Sequence, residues 1–349
     1  MAASLEIRAA FAILTAVVIA FAAQQAASVF APLVLALFII GITWPLQRWL
    51  QLRVPKLVAL ALTLIVIVAA GVAFASLVAW AFGRVGRVLT SDAARYQSFY
   101  DNMVTWLDGH GISVAGVWAE HFNIGWLLRK AQYVTGRVNS TLAFWLIAMT
   151  YVILGLLEVD DARRRVETLP HREAVRVIVN GSAATAVKFR KYMLVRTQMS
   201  VLTGLLVGLF ALATGLPFAA EWGVIAFALN YIPFLGPFLA TLFPTLIAMT
   251  QFDTWQAVIG TFILLNIIQF VIGSYVEPRL SGNVLAISPF VVLFAIFFWT
   301  FLWGLFGAFI GVPLTLAILT FCEQHSSSRW FADLLGGPVA GDKAPTGPS

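Results

Sequence analysis

Charge is scarce in this chain. Lys and Arg number 22 and Asp and Glu 16, so 11% of its 349 residues are charged while 60% are apolar. An average soluble protein has about 25% charged residues. A surface in contact with water cannot be built from so few. The charges also fall in a few stretches with long neutral runs between them, the pattern of an all-α polytopic membrane protein. A single cysteine, Cys322, excludes an intrachain disulfide framework and a cysteine-rich metal site. The four histidines, His110, His121, His171 and His325, never stand three or four apart as helical metal ligands do, so no metal is expected. The chain has no G-x-x-x-x-G-K-[ST] loop, no H-E-x-x-H and no G-x-S-x-G. It therefore reads as a non-enzyme without cofactor, and any transport must draw energy from something other than a P-loop nucleotide site. The net charge of +6 is spread over loops and not gathered on one polar face, which excludes nucleic acid as a partner.

Eight runs are apolar enough to cross a hydrocarbon core of about 30 Å, which takes about 20 residues of helix. They lie near 9–27, 29–46, 57–82, 140–157, 198–216, 222–250, 254–276 and 289–321. The first resembles a secretory signal, yet another apolar run follows at once, so it reads as a retained span. The chain thus divides into a three-span region (1–82), an outer region (83–139), a fourth span (140–157), a basic segment (158–197), a C-terminal core (198–322) and a tail (323–349) expected to be mostly disordered. Arg48, Arg53 and Lys56 follow the second run, and nine Lys or Arg lie between 158 and 197. The positive-inside rule places both segments, and the N-terminus, in the cytoplasm. The outer region carries Tyr96, Phe99, Tyr100, Met103 and Leu107 at helical spacing with Trp106, Trp118 and Trp126, a helical layer on lipid or on a neighbouring subunit. The basic segment mixes Arg163, Arg164 and Arg165 with Val166, Leu169, Val175, Ile178 and Val179, which predicts amphipathic helices at the inner leaflet with a basic face towards anionic lipid.

Residues that cost free energy inside a membrane gather in the C-terminal core. The string NYIPFLGPF at 230–238 has Pro233 and Pro237 four apart with Gly236 between. Two lost donors and two ring clashes preclude one continuous helix. Neither arm, 222–232 or 237–250, is long enough to span alone, so the sixth run is a broken helix or a re-entrant hairpin. The backbone groups freed at the break must face protein or a watery cavity, where transporters commonly bind solutes. Asn230 adds an amide there; a proline kink needed only for packing is the alternative. In the seventh run Asn266 and Gln269 share a helix face, a spacing suited to lining a path or to bonding a neighbouring helix, and Ser274 follows. Glu277 and Arg279 flank Pro278 where the run stops. The apolar Leu280, Val284, Leu285 and Ile287 after them favour a loop that dips inward, making Glu277 and Arg279 a gate or coupling pair. The last run is long for one span, and Gly304, Gly307 and Gly311 before Pro313 predict a bend near 307–313. Gly307 with Gly311, and Ser200, Gly204 and Gly208 on the fifth run, are small-residue seams for close packing.

The strings NYIPFLGPF, YVEPRLSGN and SPFVVLFAIFFWTFLWGLFGAFIGVPL occur in the order seen in the autoinducer-2 exporter family of bacterial permeases, which the chain resembles in layout throughout. By position, the family's proline-glycine-proline break matches Pro233, Gly236 and Pro237. Its glutamate-proline pair matches Glu277 and Pro278, and its final pattern matches Gly307, Gly311 and Pro313. Many relatives carry a histidine before the proline that matches Pro289; here Ala286, Ile287 and Ser288 stand there, so no proton-handling role transfers. The resemblance implies a secondary transporter of the bacterial inner membrane that exports a small polar solute, such as the autoinducer-2 signal, and assembles as a homo-oligomer, a pentamer. It leaves H+ or Na+ as a coupling partner, with Na+(Li+)/H+ antiport as the alternative activity. A membrane scaffold is the reading from a different class. A re-entrant sixth run would reverse the spans after it, so the side of the C-terminus stays open.

Overall fold

The structure, a computed structural model, describes residues 14–15, 18–91, 105, 109, 138–252, 254–281 and 287–336. Backbone groups in lipid must be satisfied within their own segment, and every regular element among the described residues is helical. Residues 18–25 are helical and turn at Ala26 into α1 (Ala27–Gln51). Then come α2 (Lys56–Ser91), α3 (Val138–Glu167), α4 (Arg172–Ala213), α5 (Ala219–Leu229), α6 (Leu235–Gln251) and α7 (Trp255–Val271). A π-helical turn (Ile272–Val276) leads into α8 (Glu277–Ser281), and α9 (Pro289–Glu323) and α10 (Arg329–Leu335) complete the order. Six of these helical stretches are long and apolar enough to cross a membrane, while α5 and α6 are shorter apolar helices. The all-α polytopic membrane architecture follows. The outer aromatic residues Tyr96 to Trp126, residues 9–13 and 16–17 of the first run and the tail from 337 lie outside the described residues.

The basic segment differs from its expected form. The fourth run does not stop near 157 but continues as helix to Glu167. After a turn at 168–171, one helix of 42 residues carries the basic stretch and the fifth run together. At about 1.5 Å per residue α4 is about 63 Å long, twice the hydrocarbon thickness. No proline interrupts it, so the basic residues stand on an extension of a spanning helix. The end of α4 was legible. Gly215 adopts φ +70°, the Leu216 amide donates to the Ala211 carbonyl (2.9 Å) and the Gly215 amide to that of Leu212 (3.3 Å). This is a Schellman cap with Pro217 just beyond it.

The residues form two compact units, one of 1–67, 144–195 and 280–349, the other of 68–143 and 196–279. In the first, Ala36, Leu60, Val152 and Leu156 form a core between α1, α2 and α3. A second cluster joins Phe38 of α1, Phe189 of α4 and Ile310 and Ala317 of α9. Helix α9 is folded back on itself. Trp303 (φ −129°, ψ 16°) and Gly304 (φ 63°, ψ −143°) leave helical geometry, and Gly304 occupies a region open essentially to glycine alone. Beyond that break Gly307 lies so close that an added Cβ would collide with the Trp299 carbonyl, while one on Gly311 would meet Ala295 O at 3.1 Å. The Trp299 indole donates to Thr315 Oγ1 across the arms (3.0 Å). The bend expected at 307–313 is thus at 303–304, and Pro313 continues in helix. The glycines at 307 and 311 let the two arms approach closely.

Candidate functional site at the tip of the α5–α6 hairpin

The second unit is built around a helical hairpin. Helix α5 runs antiparallel to α4: a Cβ on Gly204 would meet Gly223 O at 2.7 Å, one on Gly208 would meet Ala219 O at 3.3 Å, and Tyr231 reaches Thr197. The seam read from Ser200, Gly204 and Gly208 therefore has its partner in Gly223 of α5, which lies against Gly204 and Gly208 in turn. Ring contacts of Phe74 with Phe227 and Tyr231 fix α2 beside the C-terminal end of α5. Trp222, Ile225 and Ala226 of α5 share one core with Ala240, Ile247 and Ala248 of α6 and Leu265 of α7. The two arms thus pack side by side and the sixth run doubles back.

Its tip is the segment 230–234 between the helices. The Leu235 amide donates to the Pro233 carbonyl (2.7 Å) around Phe234, which has φ 60° and ψ −54°. This is a γ-turn of the positive-φ kind, rare and strained for a phenylalanine. Pro233 and Gly236 are buried in the turn and Pro237 is partly exposed in the first turn of α6. Gly236 is required by sterics, since a Cβ there would collide with the Leu229 carbonyl. Asn230 is 4% exposed, and its side-chain Nδ2 is buried without a hydrogen-bond partner among the described residues. On the α4 face towards α5, the hydroxyls of Ser200 and Thr203, both fully buried, also lack partners among the described residues. Next to Asn230 the Tyr231 hydroxyl donates to Thr197 Oγ1 (3.0 Å). A buried amide or hydroxyl left unmatched costs about 1–3 kcal/mol, so this concentration of them is unusual for a helix seam.

One residue before Thr197 stands Arg196, which grips Glu277 through both terminal nitrogens, at 3.0 Å and 3.3 Å. The side chains are 10% and 27% exposed. Such a fork is the strong form of a charge pair. Glu277 therefore does not pair with Arg279, the partner expected from sequence. Two residues apart on a helix, 277 and 279 point about 200° apart, and Arg279 and Pro278 are exposed. The π-turn just before explains the placement: Pro278 has no N–H for the Ser274 carbonyl, and the widened turn relieves the clash and re-aims Glu277. At the opposite end of α5, Arg84 of α2 meets the buried Glu221 carboxylate at 3.0 Å. Ten residues of α2 separate Arg84 from Phe74, so the pairs lie on the order of 15 Å apart along that helix.

The seventh run contributes unevenly. Asn266 is exposed and donates to the Phe262 carbonyl of its own helix (2.8 Å), and Ser274 is exposed too. Gln269 is partly buried, and its Nε2 is a buried donor without a partner among the described residues. The structure thus brings Asn230, Pro233 and Gly236 together at the tip, where Tyr231 reaches Thr197. It keeps Asn266, Ser274 and Arg279 on the surface. Sequence reading missed Arg196, Thr197, Tyr231 and the Arg84–Glu221 pair. The one available signal was that Arg196, alone of the nine basic residues, directly adjoins an apolar run.

A family model described as AI-2E family transporter matches residues 10–327. The chain belongs to this family. It is 29% identical over 325 residues to the AI-2 transport protein TqsA of Escherichia coli K12, an alignment covering 91% of this chain and 92% of that protein. It is 27% identical over 324 residues to the putative transport protein YhhT of the same organism, covering 92% and 91%. A putative transport protein of Borreliella burgdorferi is 36% identical over 148 residues, 42% of this chain and 41% of its own. Membership of the AI-2E family makes the chain a multi-pass membrane transport protein, in agreement with its apolar helices.

Proposed function

We propose that this protein is a secondary transporter of the bacterial cytoplasmic membrane that moves a small polar solute outward, with the solute held at the tip of the α5–α6 hairpin. The observation that carries the reading is the buried, unpartnered amide of Asn230 beside the broken backbone at 230–234. An unpaired buried donor costs less when a passing ligand supplies the acceptor. Gly236 lets the arms close behind the tip, and Gln269 offers a second donor on α7. The Arg196–Glu277 fork is the gate, opening and closing access to the tip from its side. The name of the E. coli relative makes the autoinducer-2 signal the first solute to test.

Cation exchange fits the geometry less well. Of the acidic residues in the last four runs, Glu221 and Glu277 are both held by arginines, and Asp253 lies outside the described residues. The test is the ratio of external to internal autoinducer-2 in cells that make the signal and express the chain. Wild type raises the ratio over an empty vector, and Asn230→Leu returns it to the vector level with equal protein in the membrane. Asn230→Leu removes an unpaired polar group, so its thermal stability in detergent stays equal or rises. A wild-type ratio no different from the vector rejects the solute. An Asn230→Leu variant that exports normally rejects the site.

A further inference from the structure

Away from the hairpin tip, the turn between α3 and α4 encloses an open cavity of about 520 Å³, within the range of about 300–1,000 Å³ usual for small-ligand sites. Its lining is amphiphilic. Arg172, Arg176 and Asn180, four residues apart along the first turns of α4, form one wall, while Leu169, Val175 and Val179 form the apolar remainder. The charges are unbalanced in one direction. Among the described residues neither Arg172 nor Arg176 has an acidic partner within ion-pair distance, whereas Glu167, the acidic lining residue, is tied to Arg163 at 2.9 Å. Glu173, next in sequence, lies 3.9 Å from the His325 imidazole and does not line the cavity. Two free guanidinium groups are thus held on one helix face over a concave surface, each able to donate in a fork.

We propose that this cavity binds a phosphate group carried on a partly apolar molecule, the two arginines taking the phosphate oxygens and Asn180 a neighbouring ester or hydroxyl oxygen. A phosphate matches the geometry better than a carboxylate, because its tetrahedrally arranged non-bridging oxygens, two in a diester and three in a monoester, diverge towards two separate forks, whereas the two of a carboxylate share one plane. Two sources supply that chemistry: the headgroup of an anionic phospholipid and a soluble phosphate ester. About ten residues of α3, on the order of 15 Å, separate Glu167 from the end of the apolar run at Leu157. That distance exceeds the roughly 5–8 Å that a headgroup layer adds on each side of the hydrocarbon, so a lipid reaches the cavity only if α3 is tilted, and the source is settled by measurement. The proposal does not rest on the transport reading, since it involves neither the hairpin nor its charge pairs.

The experiment uses the full chain, purified in a neutral detergent and stripped of lipid. Binding of phosphatidylglycerol and phosphatidylcholine is followed by native mass spectrometry, and binding of sn-glycerol 3-phosphate by calorimetry. Phosphatidylglycerol at least tenfold tighter than phosphatidylcholine supports the site and identifies a headgroup. Saturable glycerol phosphate binding supports it and identifies a soluble ester. In either arm Arg172→Gln with Arg176→Gln weakens binding tenfold or more, while Arg164→Gln with Arg165→Gln, which removes the same charge from residues outside the cavity, changes it less than twofold. Equal losses in the two double variants, or no binding of either phosphate compound, overturn the proposal. All four arginines are exposed, so both double variants keep the fold, which elution volume and helical circular dichroism verify.

Discussion

Arg196 was read from sequence as one of nine basic residues that set orientation, but its side chain is 10% exposed and locked to Glu277. A structural pair and a gating pair answer differently to mutation, because removing one partner strands a buried charge while removing both does not. Glu277→Gln alone should lower stability by about 3 kcal/mol, and Arg196→Gln by less, since Glu277 is the more exposed partner. The double variant Arg196→Gln, Glu277→Gln should recover most of that loss. Thermal unfolding in detergent measures the cycle. Export should remain lost in the double variant despite its restored stability if the pair is a gate; recovery of export along with stability would make it a brace. The sequence made Glu277 conspicuous because a carboxylate at the end of an apolar run is expensive. It could not name the partner, which lies 81 residues away. Contacts of that separation leave no periodic trace, whereas the choice of Arg279 rested on proximity in sequence and failed because residues two apart on a helix diverge.

At the scale of elements, glycines and prolines carried most of what was readable. Pro233, Gly236 and Pro237 marked the break in the sixth run, since a helix cannot absorb two missing donors in one turn. The bend of the last run is expected too far along the chain, and as a bend only where the run in fact doubles back. Pro313 drew attention to 307–313, yet a helix tolerates one proline when neighbours satisfy the freed carbonyl, while Gly304 carries the positive φ. What distinguishes these glycines is the atoms that surround them, and substitution should show it. Gly236→Ala and Gly307→Ala place a methyl against a backbone carbonyl in each hairpin, which costs at least 1–3 kcal/mol as overpacking. Both should sharply reduce monodisperse protein on size exclusion. Gly260→Ala, with nothing within 4 Å of its added Cβ, should instead gain up to about 1 kcal/mol of helix propensity. Equal yields for all three would show that the hairpin arms are not in close contact.

For the whole molecule, the number of doubled-back runs decides on which side of the membrane each later loop lies. Eight simple crossings from a cytoplasmic N-terminus would end inside, and a single re-entrant run would move the C-terminus out. Two re-entrant runs restore it. Helix α5 is antiparallel to α4 and α6 packs back along α5, so the sixth run enters and leaves on one side. The arms of α9 do the same: the Ser288 amide before its first arm donates to the Leu335 carbonyl beyond its second (3.4 Å). We propose that Arg48, Arg53 and Lys56 face the cytoplasm, as their charge favours; this count then puts Arg279 and Arg329 on the same side as the nine basic residues of 158–197. No basic residue then lies in the connections at 214–218 or 252–254 on the other side. The charges thus agree with two hairpins better than with any other count. The test is single cysteines in a Cys322→Ser background, at Gly215, Thr254, Val54 and Ser326, labelled by an impermeant maleimide in intact cells and after lysis. Residues 215 and 254 should react in intact cells, and 54 and 326 only after lysis. Labelling of 215 and 254 from opposite sides would mean that the sixth run crosses the membrane, and the solute site at its tip would have to be abandoned with the hairpin.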